Sequence, residues 1–302
     1  MSSRHLVDPQ LLAMLDAYPA MPLDETTLPL LRARQFPVPS FDPSGVTLEQ
    51  VRHGDILLHV YLPAEPRAAR SCIYHIHGGG YVTGSAASVE FRHRPLARAL
   101  GCAIVSVDYR LAPEHCHPIP VEDCYAGLAW LFANAGRLCV DDRRIGVMGE
   151  SAGGGLAAAL ALLARDRGEY PLAFQHLTYP MLDDQTGEAG PLPFAGEFMW
   201  TAADNRFAWH ALLGGQAADA YAAPCRAADL TGLPPAFIAT GALDLFAVED
   251  IDYARRLIAA GVPTELRVYP GAFHGFDFAP DAAVAASARH DARNALKRML
   301  GV

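Results

Sequence analysis

Two short motifs in this 302-residue chain carry residue types that could perform chemistry. Residues 77–80 read HGGG and residues 149–153 read GESAG, with Ser151 at the centre of the second motif. A G-x-S-x-G pattern on a sharp strand-to-helix turn holds a serine hydroxyl clear of its own backbone. Successive glycines let backbone N–H groups approach a developing oxyanion. Together the motifs predict nucleophilic attack by Ser151 on a carbonyl group.

A serine nucleophile needs a base, and that base needs a group to orient it. Asp244 follows an expected strand at 236–240, and His274 follows an expected strand at 265–269. Both positions lie after a strand end, and the chain order Ser, Asp, His accompanies this type of serine turn. We therefore predict His274 as the base and Asp244 as its orienting acid.

Four other residues compete for these two roles. The acids Glu249 and Asp250 fall in the next expected helix, and the histidines His210 and His290 fall in an insertion and in the last helix. None of the four directly follows a core strand, where a parallel sheet presents its catalytic side chains. The residues that follow strands are therefore preferred.

The backbone N–H groups of Gly79, Gly80 and Ala152 are the expected oxyanion donors. Each glycine costs backbone entropy, so three in a row are unfavourable for a simple turn. His77 lies at a strand end beside this loop, and we expect it to hold the loop rather than to act as a base.

The elements that position these residues alternate along the chain. Strand-like runs are expected at 46–52, 56–62, 72–76, 102–107, 144–148, 174–179, 236–240 and 265–269. Helices are expected at 88–100, 121–135, 152–165, 249–260 and 283–300. Short apolar strands that alternate with helices predict an α/β fold with a mostly parallel sheet covered on both faces. The first two strands, joined at a tight turn, predict an antiparallel hairpin at one edge.

Two segments fall outside this alternation. Residues 1–40 are amphipathic but broken by prolines, and residues from about 181 to 223 form an aromatic-rich insertion. We expect these segments to form a helical cap over the active face, since aromatic insertions tend to line ligand pockets. The alternative is a loop region with its own small core. No repeat or linker divides residues 1–302, which predicts a single domain.

Composition restricts the partners. The net charge is −9, which argues against the basic patch of a nucleic-acid-binding protein. The longest apolar run, 156–164, is too short to span a bilayer. The N-terminal residues lack the apolar core of a secretion signal, so we expect a cytoplasmic protein.

The six cysteines contain no C-x-x-C pair and are expected to be reduced thiols. The segment 109–118 places Cys116 between His115 and His117, but the spacing is not that of a zinc site. We expect this segment to be a fixed loop whose ion pairs brace the glycine loop. No metal or cofactor is expected.

Several segments together resemble one family. They are 77–81, 109–118, 149–153, 179–180, 233–235, 261–263 and 274–276, with Asp123 and Asp244. Over residues 45–280 the chain resembles the hormone-sensitive-lipase-like family of α/β-hydrolases, the bacterial family IV carboxylesterases. The resemblance implies the α/β-hydrolase fold, a helical cap and a small-molecule ester substrate with a short to medium acyl chain. It also implies a homodimer formed through an edge of the sheet.

The same resemblance implies roles for individual residues. Ser151 is the nucleophile, His274 the general base and acid, and Asp244 the group that stabilises the imidazolium. Two positions depart from the family pattern. Glu150 stands where the larger subgroup has Asp, and the second Asp that usually follows four residues after Asp244 is missing, with Val248 in its place.

Other functions on this scaffold stay open at the level of sequence. An amidase, a lactonase or a peptidase would use the same three side chains, and an eliminase or dehydratase would use the same pocket. A non-catalytic small-molecule receptor of this fold would lack the histidine, so the presence of His274 argues against it.

Overall fold

An eight-stranded sheet forms the centre of the computed structural model, which describes residues 2–17, 21–34, 39–67, 69–188 and 193–302. The strands are β1 (Val46–His53), β2 (Ile56–Pro63), β3 (Arg70–Ile76), β4 (Ala103–Asp108), β5 (Val140–Glu150), β6 (Gln175–Thr178), β7 (Ala236–Gly241) and β8 (Thr264–Tyr269). Their order is β1-β2-β4-β3-β5-β6-β7-β8, and all pairs from β4 onward are parallel. The predicted α/β fold is therefore confirmed.

The antiparallel part of the sheet is the hairpin that the sequence predicts. β1 pairs with β2 from Val46 opposite Pro63 to His53 opposite Ile56, and β2 pairs antiparallel with β4. Gly54 in the turn has a φ of +58°, a conformation that glycine adopts without a Cβ clash. A two-residue turn with positive φ matches the twist of the two strands, which explains the short connection.

Eight α-helices connect or flank the strands in the described ranges. They are α1 (Leu12–Ala17), α2 (Leu28–Ala33), α3 (Glu90–Leu100), α4 (Ile119–Asn134), α5 (Ala152–Arg167), α6 (Ala202–Leu213), α7 (Ala247–Ala259) and α8 (Ala283–Leu300). α5 contacts β3, β5 and β6, and its residues from Ala152 to Ala164 are all buried. Because small residues fill this helix, it can pack closely on the sheet. No described helix has the length and apolar character needed to cross a membrane.

The insertion contains one helix that the sequence did not predict. α6 begins after Thr201, whose side chain accepts from the backbone N–H of Asp204, while the Asp204 carboxylate accepts from the Thr201 N–H. This reciprocal capping box satisfies two N–H groups at the helix start. The signal was present in the sequence, but the short helix lies between segments without regular structure and its apolar residues do not follow one clear stripe.

The N-terminal segment and the insertion contact each other. Ser3 donates a hydrogen bond from its hydroxyl to Glu197 at 2.6 Å, and the Leu23 N–H donates to Asp204 at 2.9 Å. The predicted N-terminal helical region is reduced to two six-residue helices and short 3₁₀ turns. Parts of both segments, at 1, 18–20, 35–38 and 189–192, lie outside the described residues. The contacts agree with a shared cap, which stays a prediction.

Candidate active site

Ser151 occupies a strained turn between a strand and a helix. β5 ends at Glu150, α5 begins at Ala152, and Ser151 between them has a φ of +55° and a ψ of −124°. A Cβ on either Gly149 or Gly153 would collide with backbone atoms that pass close to the turn. A non-glycine residue with positive φ is costly and typical of functional turns. The G-x-S-x-G pattern is therefore a packing requirement of this turn.

Three predicted side chains form one hydrogen-bonded chain. His274 Nε2 lies 2.9 Å from Ser151 Oγ, and His274 Nδ1 lies 2.8 Å from Asp244 Oδ2. All three residues are buried, with 8% of Ser151, 1% of Asp244 and 9% of His274 exposed. A carboxylate only accepts hydrogen bonds, so Nδ1 carries a proton and Nε2 is left to accept from the serine hydroxyl. This arrangement can remove the proton of a serine that attacks a carbonyl.

The loops that carry the acid and the histidine are tied together. Asp244 follows β7 by three residues and His274 follows β8 by five. The Leu243 N–H donates to the Ala272 carbonyl at 2.9 Å, which joins the two loops. Asp244 Oδ1 also accepts from the Phe246 N–H at 3.0 Å, so both carboxylate oxygens have a partner. Parallel strand ends deliver these two side chains to the same edge of the sheet, as predicted.

The rival acids are not part of this hydrogen-bonded chain. Glu249 and Asp250 are in α7, and the Glu249 carboxylate accepts from the Leu182 N–H at 2.7 Å and from the Thr186 hydroxyl. Both Asp250 oxygens are buried and have no hydrogen-bond partner in the part of the chain that the structure describes. Burial raises the pKa of each carboxyl well above its ordinary value, and the neighbouring acids raise the pKa of Asp250 further. Neither carboxyl reaches His274.

The rival histidines lie exposed on their helices and have no contact with Ser151 or Asp244 in the described residues. His210 is exposed in α6, and His290 in α8 pairs with Asn294 at 2.8 Å. The predictions that preferred Asp244 and His274 over these four residues agree with the geometry.

The glycine loop lies against the serine turn. A Cβ on Gly78 would meet the Glu150 carbonyl oxygen at 2.8 Å and the Ser151 Cβ at 3.4 Å. Gly79 and Gly80 have φ values of +122° and +61°, and within the described ranges their N–H groups have no acceptor. The N–H of Ala152 belongs to the first turn of α5, where helix geometry supplies no partner. These N–H groups are free to bind an anionic oxygen.

Comparison with known proteins decides the family. A family described as having the alpha/beta hydrolase fold matches residues 73–278 of the chain. This chain belongs to the α/β-hydrolase family. Within that family it falls in the hormone-sensitive-lipase-like group, so the resemblance stated from the sequence is confirmed.

Relatives over nearly the whole length are esterases. The carboxylesterase NlhH of Mycobacterium tuberculosis is 36% identical, and the alignment covers 97% of this chain and 96% of that protein. The esterase LipI of the same organism is 34% identical over 89% of this chain and 88% of its own. A solved structure titled bacterial heroin esterase is 36% identical with a TM-score of 0.90 and covers 99% of both chains. The predicted enzyme class, a carboxylic ester hydrolase, is thereby confirmed.

His77 supports the glycine loop of the hydrolase. Its ring stacks on Tyr109 at 4.3 Å between centroids, and its Nδ1 donates to the Gly78 carbonyl at 2.8 Å. The Tyr109 hydroxyl donates in turn to the His77 carbonyl at 3.0 Å. Burial lowers the pKa of His77, which favours the neutral ring. These contacts agree with the predicted structural role.

Ion pairs hold segment 109–118, and the arginine of one pair also bonds to the loop after the glycines, which agrees with the predicted bracing role. Arg110 donates to both carboxylate oxygens of Asp123, at 2.9 Å and 2.7 Å. Arg32 of α2 pairs with Glu114 and also donates to the Val82 carbonyl at 2.7 Å. No local pattern pointed to Arg32, because it lies 50 positions from Val82 in the chain. One guanidinium thus connects the N-terminal segment to the loop after the glycines.

Glu150, the first departure from the family pattern, has a specific partner. Its carboxylate lies 2.9 Å from His75 Nε2, and His75 Nδ1 lies 2.8 Å from the Ser106 hydroxyl. Burial opposes ionisation of Glu150, but the interaction with His75 and the charge of Arg92 outweigh it and hold the pKa of Glu150 below its ordinary value. The longer acid is therefore held by a buried hydrogen-bonded histidine beneath the serine turn.

The second departure leaves the acid loop intact. Val248, at the position of the missing Asp, is 64% exposed, and the bond from Asp244 to His274 is kept at 2.8 Å. The expectation that Asp244 itself is unaffected by this change agrees with the geometry.

Aromatic rings surround His274, and the sequence did not predict which ones. Tyr179, Phe246 and Trp200 lie at ring-centroid distances of 4.6, 5.3 and 6.1 Å from its imidazole. Trp200 comes from the insertion and also contacts Gly80. The aromatic content of the insertion was a signal for a pocket wall, but it did not identify Trp200.

Two surface cavities are formed by residues other than Ser151 and its two partners. One of about 310 Å³ is lined by the loop after Met181 and by α7, including Thr186, Leu245 and Glu249. The other, of about 570 Å³, lies between α2, Glu114 and Phe207. Neither is lined by Ser151, His274 or Asp244, so neither marks the reacting centre.

Proposed function

We propose that the protein is a serine carboxylesterase that acts through Ser151, His274 and Asp244 and forms an acyl-enzyme. The observation that carries this proposal is the buried chain of two hydrogen bonds, 2.9 Å and 2.8 Å long, that joins the three side chains. The strained backbone of Ser151 supports it, because such strain is typical of a functional turn.

In the first half of the reaction, Ser151 Oγ attacks the ester carbonyl carbon while His274 Nε2 takes the hydroxyl proton. The imidazolium that forms is stabilised by Asp244, which already binds Nδ1. The tetrahedral intermediate then collapses, the ester C–O bond breaks, and His274 gives its proton to the departing alcohol oxygen. An acyl group is left on Ser151.

In the second half, water replaces the alcohol. His274 Nε2 takes a proton from water as the water oxygen attacks the acyl carbon, and the acid leaves when Ser151 Oγ regains a proton from the imidazolium. The N–H groups of Gly79, Gly80 and Ala152 would bind the oxyanion in both halves. No step requires a metal or a cofactor.

We propose a short to medium acyl chain because an aromatic side chain of the insertion borders the site. Trp200 packs on Gly80 and lies 6.1 Å from the His274 ring, so an indole borders the space in front of Ser151. The N-terminal segment, about 1–40, and the insertion, about 181–223, would together form the cap, which the bonds from Ser3 to Glu197 and from Leu23 to Asp204 support.

We further propose that the protein is a cytoplasmic homodimer. All six cysteines are unpaired, which suits the reducing cytoplasm. β1 and β8 are the two edge strands, and a homodimer would form through one of these edges. Analytical ultracentrifugation of the full chain tests the dimer, and a monomer at all concentrations would contradict it.

The first experiment is hydrolysis of p-nitrophenyl esters from acetate to palmitate by wild type and by Ser151→Ala. We expect turnover of the shorter esters and a loss of about a thousandfold or more in the variant. Because Ser151 is small and buried, circular dichroism of Ser151→Ala serves as the folding control.

Assays with other acyl substrates distinguish the esterase from the alternative functions. If wild type is inert on every ester but cleaves a p-nitroanilide or a lactone in a Ser151-dependent way, the substrate class is an amide or a lactone. If no acyl substrate reacts and a small molecule only binds, the receptor alternative holds.

A further inference from the structure

A buried tyrosine packs against the imidazole of His274. The two rings meet at 60° with their centroids 4.6 Å apart, and Tyr179 is 2% exposed. None of the proposed catalytic steps uses Tyr179. We propose that Tyr179 is a positioning residue that holds the plane of the His274 imidazole, and that an Asp277–Arg92 pair anchors it. This inference rests on the proposed function, in which His274 is the base.

The phenol hydroxyl of Tyr179 is fixed by two charged residues. It donates to Asp277 Oδ1 at 2.6 Å, and Asp277 Oδ2 accepts from Arg92 Nη1 at 2.9 Å. Bonds to a carboxylate are shorter and stronger than those between neutral groups. The Arg92 guanidinium also lies over the Phe278 ring, 3.8 Å from its centroid. The hydroxyl therefore has one well-defined direction.

The backbone of Tyr179 is fixed as well. Its φ is +35°, an uncommon value for a non-glycine residue, and its N–H donates to the Ala239 carbonyl at 2.6 Å. Strained backbone persists where the surrounding structure holds it, and it clusters at functional sites. Because both ends of the residue are held, the ring between them cannot move away from His274.

The two hydrogen bonds of the His274 imidazole depend on the orientation of the ring. Its two hydrogen bonds, to Ser151 and Asp244, run from opposite ring nitrogens, so rotation of the ring weakens both at once. Tyr179 and Phe246 meet the imidazole ring, the latter at 87° and 5.3 Å, and resist that rotation. A misplacement of about 1 Å in a catalytic site can cost about a hundredfold in rate.

The charges near His274 make the inference testable by pH. Asp244 bonds to the imidazole, and behind Tyr179 lie Asp277 and Arg92, whose charges balance each other. Glu150 is a further anion that acts on both Tyr179 and Arg92. Removal of the Asp277 charge leaves the half-buried Arg92 cation without its partner behind Tyr179, and an unbalanced cation disfavours the imidazolium.

The first test compares Tyr179→Phe, which removes only the hydroxyl, with Tyr125→Phe as a matched control. Tyr125 is also buried and also donates to a carboxylate, Glu169 at 2.5 Å, but it lies in α4. We expect kcat to fall about tenfold to a hundredfold in Tyr179→Phe with KM changed less than about twofold. The control should keep the kcat of wild type. Equal kcat values for the two variants would overturn the proposal.

The second test separates charge from packing. In Asp277→Asn we expect the acidic limb of the pH profile of kcat/KM to move to lower pH by about half a unit or more, because the Arg92 charge is no longer balanced. In the double variant Arg92→Leu/Asp277→Asn both charges are gone, and the limb should return toward its wild-type position. An acidic limb that is unchanged in Asp277→Asn, or that does not return in the double variant, contradicts the anchoring role of the pair.

A spectroscopic readout keeps this inference separate from the proposed function. The proton between His274 Nδ1 and Asp244 gives a far-downfield proton resonance when the ring is held, and it requires no turnover. We expect that resonance in wild type and in Tyr125→Phe, and a shifted or broadened one in Tyr179→Phe. If no ester is hydrolysed, the proposed function fails, while this comparison still supports or overturns the role of Tyr179.

Discussion

Gly80 and Trp200 are in direct contact, although one belongs to the glycine loop and the other to the insertion. A Cβ on Gly80 would collide with Cη2 of the indole and lie 3.2 Å from its Cζ3. The indole nitrogen donates to Asn205 at 3.1 Å, and Asn205 is fully buried, so the ring has little freedom to move aside. The insertion therefore fixes the position of a proposed oxyanion donor.

Gly80→Ala should reduce kcat by about a hundredfold to a thousandfold, because the added methyl displaces the loop and misdirects an oxyanion donor. Ester hydrolysis under saturating substrate measures the effect. The double variant Gly80→Ala/Trp200→Ala removes the collision and should recover part of the loss. The φ of +61° still disfavours alanine, so recovery stays incomplete. No recovery at all would show that the contact with Trp200 does not limit the loop.

Trp200→Ala by itself should broaden the acyl-chain preference. Loss of the indole opens space beside Gly80 and His274, so kcat/KM for octanoyl and decanoyl p-nitrophenyl esters should rise relative to that for acetate. Trp130→Ala is the control, because Trp130 is a half-buried tryptophan of α4 that stacks with Arg137. The same chain-length profile in Trp200→Ala and wild type would mean that another group limits the pocket.

Asp244→Asn should lower kcat by about ten-thousandfold with the fold retained. An amide cannot hold the histidine with Nδ1 protonated as a carboxylate does, so Nε2 is no longer free to accept the serine proton. Glu249→Gln is the matched comparison, since Glu249 is another buried acid close to the same loop. It should keep most of the activity, and a loss as large as that in Asp244→Asn would reopen the choice of acid.

The buried carboxyl of Asp250 should make the stability of the fold depend on pH. Its pKa is raised in the folded chain, by burial first and then by Glu249 and Asp244, so the carboxyl stays protonated when the unfolded chain has already ionised. Above the ordinary aspartate pKa of about 4 the folded state binds more protons, and stability falls as pH rises toward the raised pKa. The amide of Asp250→Asn does not ionise in either state. The melting temperature of this variant should therefore rise relative to that of wild type as the pH increases from 5 to 8.

The control for this prediction is Asp252→Asn. Asp252 lies two residues later in α7, has a side chain that is 50% exposed and pairs with Arg255. Its melting-temperature difference from wild type should stay small and nearly constant across the same pH range. If the melting-temperature advantage of Asp250→Asn over wild type is also constant, or falls as pH rises, the elevated pKa of Asp250 is contradicted.

The sequence located the elements well because their signals are local. Each of the eight strands lies where a short apolar run predicted it, although β5 begins at Val140, four residues before the expected start. The helices α3, α4, α5, α7 and α8 also overlap the expected ones. The sequence did not predict α6. Its capping box is a weak signal in an irregular insertion, whereas the other helices show a clear helical period of apolar residues.

By itself the sequence also determined which residues could form the reacting centre. The order of Ser151, Asp244 and His274, and their places after strands, follow from the βα alternation, because parallel strand ends converge on one edge of the sheet. The glycines around Ser151 are visible in the sequence because only a residue without a Cβ fits where the backbone packs this closely.

The tertiary structure alone decided which side chains support that centre. Arg92 and Asp277 are 185 positions apart, and Tyr179 and Asp277 are 98 apart, so no local period connects them. The contact of Trp200 with Gly80 is equally remote in sequence. Such pairs arise only when the chain folds and brings together surfaces whose shapes and charges match, and a single sequence carries no local signal for that match.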